Sequence, residues 1–234
     1  MFSPMIEVDG LIKLFGLRPV LRGTQLQVAK GESLALLGAN GSGKTTLLRT
    51  LAGLSRPTAG QVSVGGWRIP QEAAAIRAHL GVISHLPLLY ADLTAEENLR
   101  FFARLYNADR ARIPALLARV GLEKRAKERV AGFSRGMQQR LSIARALIHD
   151  PDVLLLDEPH TGLDVVGAAV LDTLIGELHA EGRTIILTTH DLGRAVRLTD
   201  RVAILSRGVI AGESLSADLT PAKLESWYGK LTIN

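Results

Sequence analysis

The segment G38-A-N-G-S-G-K-T-T46 decides how the rest of the chain is read. It fits the pattern Gly-x-x-x-x-Gly-Lys-[Ser/Thr], and the context around it is the one such a loop requires. Before it stands SLALLG (33–38), a continuous apolar run closed by glycine, as a buried parallel strand would be. After it, TTLLRTLAGL places Leu47, Leu48, Leu51 and Leu54 at helical spacing. Gly38, Gly41 and Gly43 let the backbone wrap so that successive amides, with Asn40 and Thr46 beside them, face phosphate oxygens. The helix beginning near Lys44 adds its positive end. Lys44 is then placed to neutralise terminal phosphates, and Thr45 offers a hydroxyl to Mg²⁺. A glycine-rich turn with a chance lysine is the competing reading, and the strand–loop–helix order argues against it.

Working outward, IEVDGLIKLF and VLRGTQLQVAKG alternate loosely and predict two antiparallel strands, and GQVSVGGW (60–67) a further short one. From Thr94 the character changes. TAEENLRFFARLYN opens with a capping box, Thr94 and Glu97, and the chain to about Leu147 reads as helical, broken by Pro114, Gly121, Gly132 and Gly136. After Pro151, VLLLD (153–157), a helix near 164–181, TIILTT (184–189), a short helix and VAILS (202–206) follow in turn. Strand–helix alternation implies a parallel sheet with crossovers, with the middle block as an inserted lobe. The expected division is one domain over 1–234, residues 1–84 and 142–234 forming the catalytic core and about 85–141 the helical lobe.

LLLDEP (154–159) places two carboxylates at the end of a buried strand, where open α/β sheets bind ligands. Asp157 is suited to hold Mg²⁺ and Glu158 to orient or deprotonate an attacking water.

Composition narrows the classes. The chain has 234 residues, 47% of them hydrophobic, and no cysteine, so disulfide frameworks and thiolate metal sites are excluded. MFSPMIEVDG has neither a basic nor an apolar leader region, so no secretory signal is expected. No apolar run approaches the ~20 residues of a membrane span. The net charge is +5, but the basic residues are scattered, with a mild cluster at Lys124, Arg125, Lys127 and Arg129 that reads as a solvated face.

The order FSRGM (133–137), helix, DPDVLLLDEP, TGLD (161–164) and TTHD (188–191) resembles that of ABC-type ATPases. The resemblance covers nearly the whole chain. It implies a RecA-like P-loop core with an antiparallel β subdomain and an inserted helical subdomain. It further implies ATP and Mg²⁺ as cofactors, and a head-to-tail dimer in which Ser134 and Gly136 of one subunit meet the phosphates held by the other. By the same likeness Phe15 would stack on adenine, His190 would position Glu158 and water, and Asp164 would carry communication between sites. The family's LSGGQ stands here as FSRGM, with Arg135 and Met137 as departures. His79, His149, His160 and His179 match no family position and read as ordinary loop or surface histidines.

LTAEENL (93–99) resembles the segment that faces a membrane subunit, so polytopic membrane subunits and a second ATP-binding subunit are the expected partners, at the cytoplasmic face of the cell membrane. SHLPLLYADLTAEENLRFFARLY (84–106) is similar to the haem exporters of cytochrome c maturation, with His85 where most relatives carry glutamine; Leu86 departs from that pattern. His85 is thereby a candidate for coupling and for Mg²⁺. The expected function is the ATPase of an exporter, with haem as cargo; the alternative is another small-molecule or lipid exporter. A non-transport ATPase acting on nucleic acid or ribosomes ranks below both, because the chain has one such domain, no heptad repeat and no basic tail.

Overall fold

The computed structural model describes residues 4–84 and 87–232, so the expectations for His85 and Leu86 lie outside the described residues. Two sheets carry the architecture. Strands β1 (Ile6–Phe15), β2 (Arg18–Val28), β4 (Ala59–Val64) and β5 (Trp67–Ile69) form an antiparallel sheet in the order β2-β1-β4-β5. The second sheet has the order β10-β9-β3-β8-β7-β6, from β3 (Ser33–Leu37), β6 (Leu80–Ile83), β7 (Val153–Asp157), β8 (Thr184–Thr188), β9 (Arg201–Ser206) and β10 (Val209–Leu215). Its strands run parallel except β10, which pairs antiparallel with β9.

The apolar runs behave as buried strands because both faces of this sheet are covered. Every residue of β3, β7 and β8 is buried. Side chains alternate along a strand, so Leu154 and Leu156 join one core while Val153 and Leu155 join the other. The second of these cores lies with the antiparallel sheet and helix α1 (Lys44–Leu51). The first is shared with α3 (Ala95–Leu105), α4 (Ile113–Arg119), α5 (Arg135–Leu147) and α6 (Val165–Ala180). Leu99, Phe102, Leu116, Leu117, Leu141 and Ala144 of the helical block therefore pack in one cluster with Leu154, Leu156, Ile185 and Leu187 of the sheet. A third, smaller core joins Ala35, Leu37, Val202 and Ile204 to α7 (Leu192–Leu198) and α8 (Pro221–Thr232).

Several local expectations change. Pro114 and Gly136 do not break helices: each is the second residue of one, within the first turn, where the backbone N–H that proline lacks has no intrahelical acceptor. The capping box at Thr94 and Glu97 is formed, with both reciprocal hydrogen bonds made. The short helix α2 (Ala73–Ala78) and strands β6 and β10 were not separated by periodicity, because each is only four to seven residues long. Among the described residues no helix is long and apolar enough to cross a membrane.

Candidate nucleotide site

Strand order brings the two motifs together. β8 lies between β3 and β7, and in the ladder Thr188 stands beside both Leu36 and Asp157. The loop leaving β3 and the acidic pair leaving β7 thus open on the same edge of the sheet, more than a hundred residues apart in sequence.

The loop itself is shaped by two close approaches. A Cβ on Gly38 would lie 2.3 Å from the Leu205 carbonyl oxygen, so only glycine lets the chain pass there. Gly43 has φ +114°, a conformation open to glycine, and caps α1. The Lys44 ammonium is folded back onto the loop, donating to the carbonyls of Gly38 at 2.6 Å and Ala39 at 3.2 Å. Burial pushes its pKa down, while Glu158 and Asp157 nearby hold it up. The Ser42 hydroxyl is buried with no hydrogen-bond partner among the described residues. A buried orphan hydroxyl, a lysine bonded only to carbonyls and the exposed amides of a helix start form a donor set suited to phosphate oxygens.

On the acidic side, the Thr45 hydroxyl donates to Asp157 Oδ2 at 2.9 Å, and the Thr188 hydroxyl donates to Asp157 Oδ1 at 2.8 Å. Both carboxylate oxygens of Asp157 are therefore oriented, beside a hydroxyl, which is the oxygen-rich donor set a hard divalent cation takes. Glu158 has φ +50°, a left-handed conformation that costs a non-glycine residue about 1 kcal/mol or more. Its amide donates to the Thr188 hydroxyl at 2.9 Å, which helps hold that conformation. The result lifts the Glu158 carboxylate off the strand end to 2.8 Å from Nε2 of His190. Phe15, Asn40, Gly41, Gly43, Lys44, Thr45, Thr46 and Glu158 line one cavity of about 440 Å³. Phe15 is 56% exposed at the rim, so it is not a core phenylalanine.

The remaining candidates stand apart from this cavity. Ser134 caps α5, its hydroxyl accepting from the Met137 amide, and neither it nor Gly136 lines the cavity. Asp164 caps α6 by accepting from the Gly167 amide at 2.7 Å. The Gln139 amide, buried on α5, donates to the Pro159 carbonyl at 3.0 Å and so ties the signature helix to the acidic strand end. Gln139 is a site-supporting group outside the linear motifs, its partner 20 residues away, and Thr188, although within TTHD, gains its supporting role from a partner 31 residues away that the motif does not show.

Two of the histidines read as loop or surface residues do stand in loops but are not open to solvent. The His160 side chain is 10% exposed and bonds Asp172 at 2.7 Å. His149 is half-buried, stacks on Tyr106 with ring centroids 4.0 Å apart, and bonds the Leu80 carbonyl. Burial pushes the pKa of each below the ordinary histidine range. Neither environment follows from local sequence, since in each case the ring is covered by a distant element. His79 and His179 pair with Asp152 and Asp200 at more open positions.

A phosphate loop, an acidic strand end and His190 on one edge of a mainly parallel sheet define a nucleotide-hydrolysing protein of the P-loop class. A family model described as ABC transporter matches residues 21–161. The chain is 40% identical over 223 residues to the Nod factor export ATP-binding protein I of Paraburkholderia xenovorans (strain LB400), covering 94% of this chain and 73% of that one. It is 43% identical to a fluoroquinolones export ATP-binding protein of Mycobacterium tuberculosis (strain CDC 1551 / Oshkosh), covering 94% and 74%. It spans 62 to 73% of the length of the Nod factor export proteins it matches. Among solved structures, an ATP-binding subunit of an ABC transporter superposes with a TM-score of 0.88 at 33% identity, over 97% of this chain and 99% of that one. The dimeric ATP-binding cassette MJ0796, bound to ADP and Pi after hydrolysis, superposes with a TM-score of 0.82 at 28% identity, over 91% and 99%. The chain belongs to the ABC transporter family, as an ATP-binding subunit, and is an ATPase.

Proposed function

We propose that this chain is the ATP-hydrolysing subunit of an exporter that moves a small molecule or lipid through separate membrane subunits. The observation that carries the catalytic half of this reading is the convergence of Lys44, Thr45, Asp157, Glu158 and His190 on one sheet edge, with Thr45–Asp157 at 2.9 Å and Glu158–His190 at 2.8 Å. The cargo half rests on relatives whose names give Nod factors and fluoroquinolones. Haem export draws its support from sequence likeness in residues 84–106 and in the SRGMQQRLSIARAL segment, and no relative named here carries it, so the alternative cargo reading is the better supported one.

In this reading Lys44 and the loop amides hold the ATP phosphates, and Phe15 stacks on the base. Thr45 and Asp157 would hold Mg²⁺, which when bound neutralises phosphate charge during transfer. Glu158 accepts a proton from the attacking water, and His190 fixes the direction of its carboxylate. By the family likeness Ser134 and Gly136, which do not line the cavity of their own chain, serve the site of a second copy. The two chains then stand head to tail, as a dimer closed by ATP, with Asp164 between the sites. Leu88, Tyr90, Phe101 and Leu105 are large apolar side chains left exposed on or just before α3. They are the surface offered to the membrane subunits at the cytoplasmic face. His85, in the segment leading to this surface, keeps its proposed coupling role on sequence grounds.

The test is co-purification with the membrane subunits, reconstitution in inside-out vesicles, and ATP-dependent uptake of a fluoroquinolone with haem as a parallel arm. Uptake of the fluoroquinolone supports the reading. Uptake of haem alone reverses the cargo assignment, and absence of any co-purifying membrane protein removes the transport assignment.

A further inference from the structure

His160 is two residues beyond Glu158, yet its ring points away from the cavity and into a cluster of charges between α6 and α7. Asp172, on α6, accepts from His160 Nε2 at 2.7 Å, from Arg194 Nε at 3.3 Å and from Arg197 at 3.0 Å. Arg194 in turn pairs with Asp191 at 2.8 Å, and Asp191 caps α7 by accepting the Arg194 amide at 2.9 Å. Asp191 is the residue after His190, and His190 returns to Glu158. The links close a ring: Glu158, Pro159, His160, Asp172, Arg194, Asp191, His190 and back to Glu158.

We propose that His160 is a positioning residue for hydrolysis, clamping the chain that leaves Glu158 to the helix that follows His190 so that the Glu158 carboxylate and His190 move as one unit. This rests on the hydrolytic roles assigned above to Glu158 and His190. Charge balance fixes how the clamp works. Two carboxylates, Asp172 and Asp191, already face two guanidiniums, Arg194 and Arg197, so a neutral imidazole donating from Nε2 completes the cluster without excess charge. That tautomer leaves Nδ1 as an acceptor, and Nδ1 is buried with no partner among the described residues. The same segment contains the left-handed Glu158, and Thr161 donates to the Glu158 carbonyl at 3.1 Å, so the strained turn is held from both ends. Loss of the clamp lets the carboxylate and His190 drift relative to one another, while the phosphate loop, on β3 and α1, is untouched. The effect should therefore fall on kcat and spare ATP binding.

The experiment compares wild type, His160→Ala, His160→Gln, Arg194→Gln, and the His160→Ala/Asp172→Asn pair, reading kcat, KM for ATP and Tm. Wild-type hydrolysis is the control for the underlying reading: if wild type turns over no ATP, that reading fails and not this one. The expected result is a loss of about tenfold in kcat for His160→Ala with KM within twofold, since small misplacements of reacting groups act on the chemical step. His160→Gln, whose amide reaches the position of Nε2, should recover most of the rate. The double variant should be no slower than the single, because both remove one link. Arg194→Gln opens the same ring at its more exposed member and should match His160→Ala, so the test does not depend on the alanine variant folding. Unchanged kcat in either His160→Ala or Arg194→Gln overturns the proposal. So does a rate loss that Gln fails to recover at wild-type Tm, or a double variant whose losses multiply.

Discussion

Nε2 of His190 lies 2.8 Å from the Glu158 carboxylate, although the two residues follow different strands, β8 and β7, and are 32 positions apart in sequence. The contact exists because β7 and β8 are neighbours in register, Asp157 beside Thr188, and because Glu158 turns left-handed at the strand end. The contact orients one carboxylate oxygen of Glu158 toward His190.

Glu158→Gln keeps size and hydrogen bonding but cannot accept a proton. ATP binding should persist while hydrolysis falls by about 10²–10⁴-fold. Sedimentation with ATP should then show an accumulated dimer, and turnover at the wild-type rate would remove Glu158 from the base role.

Lys44→Ala deletes the only cation that reaches the phosphate loop through carbonyl contacts among the described residues. Charge-assisted hydrogen bonds contribute about 1.5–3 kcal/mol. ATP affinity should drop about 10- to 100-fold by titration calorimetry, with the fold unchanged by circular dichroism.

Thr188→Val removes one hydroxyl that serves two partners, accepting from the Glu158 amide and donating to Asp157. Leaving these groups unpaired should cost about 1–3 kcal/mol in urea unfolding. kcat should fall as well, and Thr188→Ser should restore both quantities.

Acid should destabilise the chain partly through His149. Burial is the main cause of its low pKa; the Leu80 carbonyl and Asp150 oppose it, Arg145 and Arg112 add to it, and Tyr106 covers the ring. The folded chain therefore binds fewer protons here than the unfolded chain does. Its contribution is present above the ordinary histidine value of about 6.5 and is lost as pH falls below it. His149→Phe keeps the ring stack without the titration, so its Tm should decline less than that of wild type between about pH 7 and 5.

Phe15→Ala should weaken ATP binding on the order of tenfold, since each aromatic–base stack contributes about 1–3 kcal/mol. Phe15 is mostly exposed at the cavity rim, so Tm should hardly move. A large loss of Tm would return it to a packing role.

The strands β3, β7 and β8 were legible because a fully buried parallel strand must be an unbroken apolar run, and few other structures need one. The phosphate loop was legible because its glycines answer steric demands that no other residue meets, as at Gly38 against Leu205. Pro114 and Gly136 are poor guides to a helix break because cost depends on position, and in the first turn the N–H that proline lacks has no intrahelical acceptor. The histidines misled for a different reason. His160 and His149 owe their burial to Asp172 on α6 and to Tyr106 after α3, partners that local periodicity does not bring near.

Local sequence thus determined the long apolar strands, the phosphate loop and the acidic strand end, because each is written in one contiguous run of residues. Only the tertiary structure decided that β8 separates β3 from β7, that Thr188 braces both Asp157 and Glu158, and that His160 closes a ring of charges back to His190. Those are contacts between strand and helix ends brought together by sheet order, and sheet order is fixed by how all the buried faces pack at once.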